Sequence, residues 1–390
     1  MHQDPRSRSA FVPELEALRG IAALFVAIYH SFVWMPINDQ PVSIMSLFDV
    51  HGLQAFAARA VIAITNGTSW VDIFFLLSGY VLAISLHGKT ISISSWLPFM
   101  VKRTMRIVPV YLAVLVLVCM ALALISAGDS FADAYDWYPR WKADNLSAYE
   151  IISNALLVQT WINPPSWTLR VEMIVATLFP FIFFISIKLS TIANILILST
   201  VAAVGYYFRS NVYIAWLCYM SLFWVGVLGQ RVGGKVAAGI PEKYLSTIAL
   251  LSFLCIVLPN IFHITFPIAR EVPAATGGFL LIAILASGRE CCGLRWLKSS
   301  IPRYLGRVSF SFYLLHYMTL YVLTSAYTSH FGFSLLSAQP LFVVVSSAAI
   351  SIVICLPLAS VLYKYIERPF ADFGRRLTTK HSKERSATPA

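Results

Sequence analysis

The chain has 390 residues, of which 58% are hydrophobic and only 12% charged, and its net charge is +11. A soluble protein carries about 25% charged residues, and no soluble shape hides this much apolar surface, so a soluble globular protein is excluded, as are disordered, collagen-like and disulfide-scaffold chains. The apolar runs are continuous rather than alternating, which excludes an outer-membrane barrel.

In chain order, the runs predict an all-α polytopic membrane protein with about ten transmembrane helices, over 17–35, 70–87, 107–127, 170–188, 191–208, 212–230, 244–261, 272–288, 308–328 and 341–363. The first is not read as a cleaved signal peptide, because a long polar stretch precedes it and no small-x-small site follows Ile21 to Ile28. The longest connection, Gly128 to about Arg170, opens acidic and aromatic with Asp129, Asp133, Tyr135, Asp136, Trp137, Tyr138 and Trp141. Those rings suit stacking on sugars or an interface belt. Its later part, Ile151 to Val158, is apolar but too short to span, and reads as a re-entrant or interfacial helix. Pro164 and Pro165 then break the chain before the fourth span. The organisation expected is a cytoplasmic tail over 1–12, one transmembrane domain over 13–370, and a basic tail over 371–390 with Arg375, Arg376, Lys380, Lys383 and Arg385.

Lysine and arginine set the orientation. With both termini in the cytoplasm, 23 of the 29 fall in inside segments. The basic charge is therefore topology information and does not predict nucleic-acid binding. The six cysteines, Cys119, Cys218, Cys255, Cys291, Cys292 and Cys355, have neither a disulfide framework nor zinc-ligand spacing and read as small apolar residues.

Ionisable groups at bilayer depth each cost several kcal/mol unless paired or useful, and five places stand out. Arg19 and His30 are eleven residues apart, so they share one helix face about 16 Å apart along its axis. An imidazole there is the side chain that moves a proton near neutral pH; the bland alternative is a snorkelling Arg and a packing His. Asp72 opens the second span, either to orient an imidazole or as a helix N-terminal charge. Arg103 and Arg106, three apart before Pro109, suit a phosphate-rich ligand, although the positive-inside rule alone places basic residues there. Glu172 lies about one turn into the fourth span, functional or paired with Arg170. Ser309, Phe312, Tyr313 and His316 form one stripe that lines a cavity or packs a helix.

In this order the motifs resemble the membrane-bound acyltransferase-3 family. The resemblance rests on Leu18-Arg19-Gly20-Ile21 followed by His30, on Asp72 to Gly79, on Arg103 to Arg106 with Pro109 and Tyr111, on Ser166 to Glu172, on Leu305 to His316, and on Tyr365 to Phe370. It implies transfer of an acyl group, most often acetyl from cytoplasmic acetyl-CoA, to a hydroxyl of a carbohydrate or similar acceptor in the cell envelope of a bacterium. Acceptors in the family include lipopolysaccharide O-antigen, exopolysaccharide units, Nod factors, peptidoglycan and some antibiotics. Some members carry a fused extracytoplasmic domain after the membrane part; this chain is expected to work without one or with a separate partner.

The mechanism expected from the resemblance has acyl-CoA as co-substrate, with no permanently bound cofactor and no metal. Its phosphates dock at Arg103 and Arg106 with Arg19, His30 is the general base, Asp72 orients it, and Glu172 shapes the acceptor side or pairs with Arg170. A covalent acyl-imidazole ranks second. The expected partners are acyl-CoA, a carbohydrate or lipid-linked glycan acceptor, and membrane lipids. The competing class is a proton-coupled transporter, which also uses intramembrane His, Arg, Asp and Glu; the absence of an inverted repeat counts against it.

Overall fold

The structure, a computed structural model, describes residues 12–34, 36–38, 40–88, 93–125, 146–211 and 214–387. It is helical throughout its regular part. The aromatic loop residues from Asp129 to Trp141 and the first eleven residues lie outside the described ones. In lipid every backbone donor and acceptor must be met within the segment, which is why continuous apolar runs become helices. All ten apolar runs fall on helices: α1 (Pro13–Phe32), α3 (Gly67–Leu86), α4 (Ile93–Leu124), α6 (Trp167–Lys188), α7 (Thr191–Tyr207), α8 (Trp216–Gly239), α9 (Leu245–Ile261), α10 (Pro267–Ala286), α11 (Ser300–Ala338) and α12 (Pro340–Leu362). Among the described residues, seven helical segments are long and apolar enough to cross a membrane.

Two helices were not anticipated, and a third was expected with other bounds. α2 (Leu53–Thr65) occupies a stretch read as a connection. α5 (Ala148–Ala155) starts three residues before the apolar run at 151, because Ser147 caps it by accepting from the Glu150 amide at 3.2 Å. α13 (Arg368–Ala387) turns the expected basic tail into a helix, entered through a π-helical turn over Tyr363–Glu367. One boundary matters for the site. α4 begins at Ile93, not near 107, and runs through Pro98 and Pro109. The charges of Lys102, Arg103 and Arg106 lower the hydropathy there without interrupting the backbone hydrogen bonds.

The chain forms two compact units. The first comprises Met1–Val26, Ala63–Ile91 and Thr177–Arg307; the second comprises Ala27–Ile62, Ser92–Ala176 and Val308–Ala390. In the first, close approach of small residues replaces the hydrophobic drive that lipid cannot supply. Gly79 of α3 lies on the Phe223 backbone of α8, and Gly226 of α8 on the Leu76 carbonyl. Gly20 of α1 and Gly306 of α11 meet backbone to backbone, Gly306 against the Glu16 carbonyl. Buried Asn66, at φ 30°, links α2 to α3, a left-handed position that asparagine tolerates. Its amide donates to the Ile256 carbonyl of α9 at 2.5 Å and accepts from Asn260 at 3.0 Å. That anchor fixes where α3 starts, five residues before Asp72. In the second unit α13 lies on α4, with Gly374 against Met105, and Ser311 of α11 donates to Glu367 at 2.8 Å.

Candidate functional site

In the second unit the sequence-predicted groups fall into two clusters. The first is an ion pair between Arg103 of α4 and Glu172 of α6. Arg103 is 8% exposed. Helix spacing alone had put Arg103 at one mouth of the membrane and Glu172 a turn in from the other. They meet because Arg103 lies ten residues inside α4 and because the segment before α6 folds back against α4. Tyr111, two turns beyond Arg103, donates to the Asn154 carbonyl of α5 at 2.6 Å. The Asn154 side chain in turn accepts from the Ile162 amide at 3.0 Å, and Asn163 donates to the Leu314 carbonyl of α11 at 3.3 Å. A short turn over Pro164–Ser166 then starts α6, and Thr168 ties back to the Pro165 carbonyl at 2.9 Å. Glu172, in the second turn, is thereby carried to α4. Arg106, one turn beyond Arg103, is half-buried.

The second cluster is a pair of imidazoles. His30, near the end of α1, and His316, midway along α11, approach with His30 Nδ1 and His316 Nε2 3.0 Å apart. Their planes differ by 22°. The Tyr317 ring stands edge-on to His30 at 5.5 Å between centroids, and the Tyr29 ring does so at 5.7 Å. His30 is half-buried and His316 is 1% exposed. His316 Nδ1 lies 2.5 Å from the Tyr313 carbonyl one turn earlier. The Ser309–His316 stripe left two readings open; the residue at its end contacts His30. The signal was present: a histidine on an apolar stripe of a second spanning helix, as His30 is on the first. Sequence spacing does not show that the two helices face each other there.

In the first unit, Arg19 donates from Nη2 to the Gly306 carbonyl at 3.2 Å, beside the Gly20 crossing. Asp72 is 3% exposed and faces the charges of Glu271 and Arg270 on α10. Arg270 and Glu271 form an ion pair at 3.1 Å, and Tyr206 of α7 and Tyr219 of α8 stand close by. Neither Arg270 nor Glu271 was singled out from the sequence, since the eighth span was started at 272. Pro267 in the first turn moves the start of α10 back to include them, the position proline favours. The second unit holds another unanticipated cation, the fully buried Arg59 on α2, which donates to the Met45 carbonyl at 2.5 Å.

Spanning helices with paired charges and imidazoles in their interior define a multi-pass membrane protein built to do chemistry or transport. A family model for an acyltransferase domain, Acyl_transf_3, matches residues 12–360. The chain belongs to this acyltransferase-3 family and is a membrane acyltransferase. It is similar to Acyltransferase MdmB of Streptomyces mycarofaciens, 28% identical over 344 residues that cover 79% of each chain. No solved structure matches it.

Proposed function

We propose that the protein transfers an acyl group, acetyl foremost, from acyl-CoA on the cytoplasmic side of a bacterial inner membrane to a hydroxyl of a cell-surface or exported carbohydrate. The observation that carries this reading is His30, a half-buried imidazole on an unbroken membrane helix, hydrogen-bonded to a second imidazole. The acceptor hydroxyl oxygen attacks the thioester carbonyl carbon while His30 takes its proton. The C–S bond then breaks, and the CoA sulfur leaves and takes the proton from His30. General-base catalysis of this kind contributes about 10²–10⁴-fold. Arg106, the more accessible of its pair, meets the CoA phosphates, and guanidinium suits that contact. Arg103, turned to Glu172, adds positive field and holds α6 against α4.

The test is thiol release from acetyl-CoA by the protein in lipid nanodiscs, with an extract of bacterial surface glycans as acceptor. Release that requires the extract and disappears in His30→Ala, with helix content unchanged, is the expected result. Full activity of His30→Ala would sink the mechanism. No release from any acyl-CoA, with no CoA binding that depends on Arg106, would hand the protein to the carrier class.

A further inference from the structure

We infer that His316 is a positioning residue that fixes the tautomer of His30, so that Nε2 of His30 is the nitrogen that takes the proton. The inference rests on the reading of His30 as the base and adds the partner that sets its chemistry.

The hydrogen-bond chain has one unambiguous end. The Tyr313 carbonyl oxygen only accepts. His316 Nδ1, 2.5 Å away, therefore carries a hydrogen and donates it. With one proton on each ring, His316 Nε2 holds a lone pair and must accept. The atom 3.0 Å from it is His30 Nδ1, which therefore carries its hydrogen there and donates. The remaining nitrogen of His30, Nε2, is left with its lone pair in the ring plane. The order is His30 Nδ1–H to His316 Nε2, then His316 Nδ1–H to Tyr313 O.

A free imidazole favours the opposite tautomer, with the hydrogen on Nε2. In that form His30 would present a donor on the side away from His316, and a donor cannot take a proton. The bond made by one ring nitrogen decides the role of the other. His316 does for His30 what a carboxylate does in a catalytic triad, but without a net charge. Two features suit it to the task. It is 1% exposed, so water does not compete for Nε2. Its carbonyl partner is one turn earlier on the same helix, so α11 itself sets the direction of the ring. When His30 takes the acceptor proton at Nε2, both its nitrogens carry hydrogens, and the bond to His316 persists and becomes charge-assisted.

The first measurement is ¹⁵N NMR of histidine-labelled protein in lipid, with the His30 signals identified by their loss in His30→Gln. The expected result is a protonated Nδ1 and an unprotonated Nε2 on His30. In His316→Leu, which removes the acceptor, His30 should revert to the Nε2–H form. In His316→Gln, whose side-chain oxygen reaches a similar position and accepts, the Nδ1–H form should persist. The activities should follow: kcat falls by about 10²-fold or more in His316→Leu with KM for acetyl-CoA unchanged, and stays within about tenfold of the parent in His316→Gln. A merely structural histidine would not give this split. Nε2–H on His30 in the parent protein, or unchanged kcat in His316→Leu, would overturn the inference. If His316→Leu does not fold, the parent spectrum decides alone. If the Nδ1–H tautomer is found but no acyl-CoA is consumed, the acyl-transfer reading falls and the tautomer assignment stands.

Discussion

Arg103 and Glu172 show what a charge inside a membrane protein asks of its neighbour. Each was legible as an expensive residue at bilayer depth, but their pairing was not. They are 69 positions apart, and the arginine's own charge had pushed the expected start of its helix beyond it. The pair also makes a testable claim. Glu172→Ala leaves a buried guanidinium without its carboxylate and should lower stability by about 3–5 kcal/mol. Replacing both, as Arg103→Met with Glu172→Leu, should regain most of that, because an apolar pair of similar size needs no desolvation. Thermal unfolding of the parent, Arg103→Met, Glu172→Leu and the double variant in one detergent checks the cycle. Additive single losses with no recovery in the double variant would mean that the two residues act separately and not as a pair. In lipid the His30 and His316 rings follow the same rule, each meeting the other's polar edge.

At the scale of helices, hydropathy located every long apolar run, since a run of spanning length has one structural solution in lipid. It missed α2 and α13, whose mixed apolar and basic sequence makes no continuous run, and it clipped the starts of α4 and α10, where charged residues lie in the N-terminal part of the helix. The packing of those helices was not legible, because a glycine has the same hydropathy wherever it sits. Gly20 and Gly306 show the difference. A Cβ at either would overlap backbone of the opposing helix, and α1 cannot back away without losing the Arg19 bond to the Gly306 carbonyl. Gly20→Ala should therefore lower stability by about 1–3 kcal/mol, as overpacking does. Gly234, with open space around its Cβ position on α8, provides the contrast. Gly234→Ala should be neutral or slightly stabilising, since alanine is the better helix former. Equal melting temperatures for the two variants would contradict the crossing.

At the scale of the molecule, α1, α2, α6 and α11 each contribute residues to both compact units. The family resemblance was legible from six short motifs because each marks a place where polar residues interrupt an apolar helix. The role of the chain's last helix was not. The segment was expected only as a basic tail, but as α13 it lies along α4 with Gly374 beside Met105 and Lys102, one residue in sequence from Arg106, the arginine proposed to meet the donor. Gly374→Leu should push α13 off α4 and raise KM for acyl-CoA several-fold, leaving the tautomer of His30 as it was. Steady-state kinetics with the ¹⁵N spectrum separates the two effects, and an unchanged KM would remove α13 from the donor site.

The two imidazoles are 286 positions apart in the chain. A ribosome adding about 5–20 residues per second needs roughly 15–60 s to go from one to the other. Throughout that interval His316 has not yet been made, and the contact between the two rings cannot form. Arrival of α11 brings His316 to His30 and, on the proposed mechanism, sets the ring that takes the acceptor proton. On the proposed mechanism a nascent or prematurely terminated chain is therefore silent towards its acyl donor, and the placing of α11 is the event that makes transfer possible.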